Sequence, residues 1–146
     1  MFQKILLASD GSSDALRAAQ AAALLASRLG AALTVLHVYP EHMDFPPGVE
    51  PAHTYKDPAA RDQEILAARA AVARRIAAAL EEQGVAGATR EAKGHPAEAI
   101  VAVAREENSD LVIVGCHTMS GIKAFLMGSV SDRVCHHAPC AVLIMK

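Results

Sequence analysis

Short apolar runs alternate with helical segments along this chain, and that alternation limits the folds open to it more than any other feature. Residues 4–9 read KILLAS and stop at Asp10-Gly11, the mark of a buried strand. Residues 14–29 form a helix with Leu16, Leu24, Leu25 and Leu29 among its apolar positions, Ser12 and Ser13 as caps, and Gly30 where it should stop. Residues 32–38 (ALTVLHV) predict a second strand, apolar enough to be covered on both faces. A long Ala-rich helix over 59–83 carries Ile65, Val72, Ile76 and Leu80 on its apolar stripe and ends at Gly84. A more polar strand over 85–91 fits a sheet edge. Pro96 opens a helix reaching about residue 107 through Ile100 and Val103. Residues 111–114 are the fourth strand, 129–137 the last helix and 141–145 the fifth strand. Strands that alternate with helices predict a doubly wound α/β fold, a parallel sheet covered on both faces. Right-handed crossovers then bring every strand's carboxyl end to one rim.

Composition narrows the function. The 146 residues suit one domain, 1–146, with a sizeable core. Hydrophobic residues make up 52% but aromatics only 3%, so Ala, Val, Leu and Ile must fill that core, which suits thin helices laid on a sheet. A formal net charge of −2 gives no electrostatic footprint for nucleic acid. No apolar stretch approaches the ~20 residues that cross a bilayer, and the start MFQKILLASD lacks the pattern of a secretory signal. Three cysteines without framework spacing fit reduced thiols, hence a cytoplasmic protein. Between 39 and 58 the pattern breaks. Five of the seven prolines fall there, with His42, Phe45, His53 and Tyr55, and the segment is expected to be a flexible flap.

The chemistry concentrates in the last thirty-two residues, GCHTMSGIKAFLMGSVSDRVCHHAPCAVLIMK. The fourth strand stops at Gly115. A loop with Gly121 and Lys123 follows, and Gly128-Ser129-Val130-Ser131 opens the last helix. Free backbone N–H groups and the positive end of a helix dipole then point at one place, which suits phosphate. Asp10 lies on the same rim. Ligands in such sheets bind where the strand order reverses, so Asp10, Val38 and the Gly115 loop would surround one crevice if strands one and four are neighbours.

On these residues the chain resembles the universal stress protein family. KILLASDGS is similar to that family's first strand with its Asp, LTVLHV to its second, and the ending is the most specific part. Members that bind ATP carry Gly, two residues, Gly, nine residues, Gly, then Ser or Thr. Gly115 matches the first glycine and Gly128-Ser129 the last pair, while Thr118 stands in place of the middle one. The resemblance implies a five-stranded sheet of order 3-2-1-4-5, adenine-nucleotide α-hydrolase-like, and a homodimer. It implies ATP, AMP or another adenine nucleotide as ligand, with or without magnesium. Adenine would lie near Ala8, Asp10 and Val38, with ribose and phosphates along Gly115, Cys116, His117, Thr118, Gly121, Gly128, Ser129, Val130 and Ser131.

Plainer readings stand beside these. Ser129 and Asp132 together form a capping box, found at many helix starts. Asp10 can close an Asx turn before Gly11. A β-branched Thr118 resists positive φ and close approach to phosphate, or its hydroxyl donates to a phosphate oxygen instead; weakened binding is expected. Cys135, His136, His137 and Cys140 cannot all face one ion from a helix broken at Pro139, so no metal site is expected. The apolar edge strand 141–145 invites pairing with a second copy. No catalytic constellation emerges, so three functions compete: a nucleotide-binding regulatory module, a dimeric interaction protein without nucleotide, and a slow ATP hydrolase.

Overall fold

The computed structural model describes residues 1–9, 13–39, 56–116 and 129–146, together with Glu41, Phe45 and Pro51. The strands β1 (Lys4–Ser9), β2 (Ala32–Tyr39), β3 (Gly87–Lys93), β4 (Leu111–Gly115) and β5 (Ala141–Met145) alternate with the helices α1 (Ser13–Leu29), α2 (Pro58–Glu82), α3 (Pro96–Glu106) and α4 (Ser129–His137). All strand pairs are parallel and the order is β3-β2-β1-β4-β5. The segment expected as a flap lies mostly outside the described residues, but its two ends belong to neighbouring elements, Tyr39 to β2 and Pro58 to α2.

Period-two alternation divides the core into two layers. Ile5 and Leu7 of β1, Leu33 and Val35 of β2, and Leu111 and Ile113 of β4 face α1 and α2. Leu6, Ala8, Leu36, Val38, Val112 and Val114 face α3 and α4. Both sides of the central strands are therefore apolar, which is why their sequences read as continuous hydrophobic runs.

Helix α1 turns its alanines more than its leucines toward the sheet. Its buried stripe is Ala15, Ala18, Ala19, Ala22, Ala23 and Ala26, whereas Leu24 is 46% and Leu29 49% exposed, and Leu16 and Leu25 are only partly buried. The alanines recur at the i, i+3, i+4 spacing that keeps one face toward the sheet. Their short side chains let the helix lie close, and a leucine on that face would hold it off. Helix α2 buries Ile65, Ile76, Ala79 and Leu80 as its stripe suggests, with Arg69 on the same face and Val72 at its border.

The third strand begins two residues later than expected. Gly84 adopts φ 65°, its N–H bonds to Glu81 O at 2.9 Å, and the Val85 N–H bonds to Leu80 O at 3.0 Å. This is a Schellman stop, with Val85 packing back on the core as the motif's hydrophobic contact. The β-branched Val85 thus belongs to the helix cap, and pairing with β2 starts at Leu33↔Gly87.

At the opposite end of the sheet Asp110 ties β4 to β1. Its carboxylate accepts from Gln3 N at 2.8 Å and Lys4 N at 3.2 Å, while its own N–H bonds to Lys4 O at 3.0 Å. Hydrogen bonds to a charged group contribute about 1.5–3 kcal/mol, and exposure places this one at the low end. Asp110→Ala should therefore cost about 1.5 kcal/mol in urea denaturation, and an unchanged midpoint would show that water replaces the carboxylate without loss.

Candidate functional site

The strand order reverses between β1 and β4, which pair directly from Ile5↔Leu111 to Ala8↔Val114. Their carboxyl ends, Ser9 and Gly115, therefore reach the rim side by side, with β2 ending beyond them at Tyr39. Helix α1 starts on this rim at Ser13, and α4 at Ser129. Helices begin here because right-handed crossovers return each chain segment from a strand's carboxyl end. This is the topological switch point, the place where sheets of this kind hold a ligand crevice, and an α-helix starts on each face of the sheet beside it.

The described site residues sort into three kinds. The side chains of Ala8 and Val38 are buried among the residues facing α3 and α4, so only their main chain is available to a ligand. Cys116 is also buried, and its N–H donates to Met145 O at 2.7 Å, which ties the end of β4 to β5. Ser129 is exposed in the first turn of α4, where backbone N–H groups have no helical partner. Val130 packs against the core, and Ser131 is 3% exposed. Asp10, His117, Thr118, Gly121, Gly128 and Lys123 lie outside the described residues, as do Gly11, Ser12, the Ser13 side chain, His42, His53 and Tyr55.

Gly115 has a role the sequence did not suggest. A Cβ built there would lie 2.9 Å from the carbonyl carbon of Asp14, 3.0 Å from its oxygen and 3.1 Å from the nitrogen of Ala15. Its φ is not positive, so the glycine is required by space rather than by conformation. The end of β4 is pressed against the backbone of the first turn of α1, and the two sides of the crevice touch there.

Beside the crevice lies a polar group that sequence reasoning missed. The rings of His37 and Tyr39 stack with centroids 6.3 Å apart, and the Arg69 guanidinium sits 4.2 Å from the Tyr39 ring centre. Period two places both β2 residues on the face toward α2. A signal for Arg69 existed: Ile65, Arg69, Val72 and Ile76 follow helical spacing, which puts a cation on a buried stripe. Across β3, Glu91 is the register partner of His37. Burial raises the Tyr39 phenol above its ordinary pKa, Glu91 adds to this and Arg69 opposes it.

His37 is held below its ordinary 6.5, chiefly by burial, with Glu91 pulling the other way. The unfolded chain therefore takes up a proton before the folded one does. The stability gained from the neutral ring is complete above about pH 6.5 and is lost as pH falls toward the lower folded value. A His37→Phe variant should accordingly lose less stability than wild type between about pH 7 and 5. Denaturant midpoints measured across that range check this, and a steeper loss in the variant would contradict it.

On α4, Arg133 bonds to the ring of His95 at 3.0 Å, joining this helix to the start of α3. Cys135 is exposed and Cys140 half-buried, and both thiols are shifted upward, first by burial and then by Asp132 and Asp110 respectively. Neither is an activated thiolate. Among the described residues no cluster of His, Cys, Asp and Glu could hold a metal ion, and no helix is long and apolar enough to cross a membrane.

Comparison with known proteins gives a consistent result. A sequence model described as the universal stress protein family matches residues 1–146. The chain is 35% identical over 150 residues to the "universal stress protein in QAH/OAS sulfhydrylase 3'region" of Thermus aquaticus, covering 100% of both chains. It is 32% identical over 151 residues to the universal stress protein YxiE of Bacillus subtilis, again covering 100% of both. Among solved structures, a universal stress protein in complex with cAMP superposes with a TM-score of 0.70 at 27% identity, covering 99% of this chain and 97% of that one.

Proposed function

The chain belongs to the universal stress protein family, and from that premise we propose that it binds an adenine nucleotide at the β1/β4 crevice as a regulatory ligand. The observation that carries this reading is the meeting of the β1 and β4 carboxyl ends with the exposed Ser129 turn of α4 on one rim. That turn offers unpartnered N–H groups and the positive end of the α4 dipole to phosphate oxygens. Adenine would lie toward Asp10 and the main chain of Val38, with ribose and phosphates toward Gly115 and the Ser129 turn. ATP and AMP are the ligands expected, with or without magnesium; the relative with 27% identity was solved with cAMP.

The protein acts as a homodimer in the cytoplasm on this reading, and its occupancy reports energy or stress state to a partner. The edge strand β5 supports the dimer, since Val142, Leu143, Ile144 and Met145 are apolar yet only partly covered. The sequence carries no catalytic constellation, so slow or absent turnover accompanies this reading. A second reading rests on Thr118: if its side chain closes the phosphate loop, a dimeric interaction protein without nucleotide remains.

Calorimetric titration with ATP, ADP, AMP and cAMP separates the two. Saturable binding of any of them supports the first reading, and silence at millimolar concentration supports the second. Ser129→Glu should weaken binding by roughly a hundredfold, on the order of 2.7 kcal/mol, because its carboxylate takes the place of the phosphate. A carboxylate at a helix start suits the dipole, so the fold should survive. If the variant bound as tightly as wild type, the ligand would lie elsewhere.

A further inference from the structure

Between α2 and the edge strand β3 lies an open-mouthed cleft of about 500 Å³. Its floor is apolar and buried, made by Val35, Ile76 and Leu80. The space exists because small side chains face one another across it, Ala73 and Ala77 from the helix and Thr89 from the strand. At the same cleft stands His37, only 4% exposed. Among the described residues its imidazole makes no hydrogen bond, although it stacks on Tyr39. Solvent reaches its ring nitrogens, since among the described residues Arg69 Nε is the side-chain atom that is both sealed and unbonded. An unbonded imidazole at an apolar concavity is the arrangement by which a pocket orients a small ligand.

We propose that this cleft is a binding site for a small neutral molecule with an apolar body and one hydroxyl group, which hydrogen-bonds to His37. Charge decides against other ligands. Glu81 lines the cleft and Glu91 pairs with His37 in register, so an anion is repelled. Arg69, one helical turn before Ala73 and over the Tyr39 ring, opposes a cation. Burial keeps the His37 ring neutral in spite of Glu91. A neutral imidazole presents one N–H and one bare nitrogen, and a hydroxyl complements either. The volume falls within the roughly 300–1,000 Å³ typical of small-molecule sites. Nothing here depends on the nucleotide reading, since the cleft shares no residue with the crevice.

The test is a titration of the full-length protein with 4-propylphenol, followed by the ¹⁵N resonances of the histidine rings. His37 should shift saturably while the exposed histidines stay still, with a dissociation constant on the order of 0.1–1 mM for so small a ligand. His37→Phe should weaken binding about tenfold, the loss expected for one hydrogen bond. Ala77 is exposed at the mouth, so Ala77→Trp should fill the cleft without disturbing the fold and abolish saturation. The proposal is overturned if His37 does not saturate by about 5 mM, well above the expected range. Wild-type affinity in either variant overturns it as well.

Discussion

Replacing Gly115 with valine should destabilise the protein by about 3 kcal/mol or more, above the ~1–3 kcal/mol usual for overpacking, and weaken the proposed nucleotide binding with it. The first added carbon would lie 2.9–3.1 Å from three backbone atoms of Asp14 and Ala15. Neither side can yield cheaply. Strand β4 is paired with β1 on one edge and β5 on the other, and the Cys116 N–H is fixed to Met145. Helix α1 is seated on the sheet by its alanine face. The strain must appear as a shift of the first turn of α1, which begins a few residues after Asp10 in sequence. Hydrogen exchange at residues 17–19, the first amides of α1 with helical partners, should quicken in Gly115→Ala even without nucleotide, whereas a glycine that served only the ligand would leave those amides unchanged. Affinity and exchange measured together thus separate a packing role from a contact role. A Gly115→Ala protein that melts like wild type and keeps slow exchange would refute the close approach.

A second large effect is expected on α1. Ala22→Leu should cost about 1–3 kcal/mol or more, although leucine is a good helix former and more hydrophobic than alanine. Ala22 is fully buried among Ile5, Leu7 and Leu33 in one tightly packed layer, and the helix cannot lift locally without uncovering Ala18, Ala19 and Ala26. Leu24→Ala, two positions away, should change stability by no more than about 0.5 kcal/mol, because that side chain is 46% exposed. The same chemical difference thus has large consequences on one face of the helix and small ones on the other. Denaturation midpoints of the pair check this, and a costly Leu24→Ala would mean that the leucine face is covered, for instance by a second copy.

The leucines of α1 show why hydrophobicity alone does not identify the buried face of a helix. Leu16, Leu24, Leu25 and Leu29 are the most apolar side chains in the helix, yet the stripe with unbroken i, i+3, i+4 spacing is alanine from Ala15 to Ala26. Spacing was the better guide, because a face repeats along a helix and side-chain size depends on what lies opposite. The shift of β3 has a similar origin. Val85 carries strand propensity, but Gly84 at positive φ spends its N–H on the helix stop. The candidate site was legible to the extent that it sits at element ends: the end of β4 at Gly115 and the start of α4 at Ser129 coincide with a glycine and a serine in the sequence. The His37–Tyr39–Arg69 stack was not legible, since it needs α2 set over β2 at a particular rotation.

The alternation of strand and helix, the two-sided burial of β1, β2 and β4, and the helix stops at Gly30 and Gly84 were determined by the amino-acid order itself. Each is expressed within a dozen neighbouring residues, through periodicity, propensity and permitted φ. Only the tertiary structure decided which face of α1 is inside, where β3 begins its pairing, and that Gly115 is a spacer for Asp14. Those depend on distances between segments remote in sequence, and a contact across about a hundred residues leaves no local pattern to read.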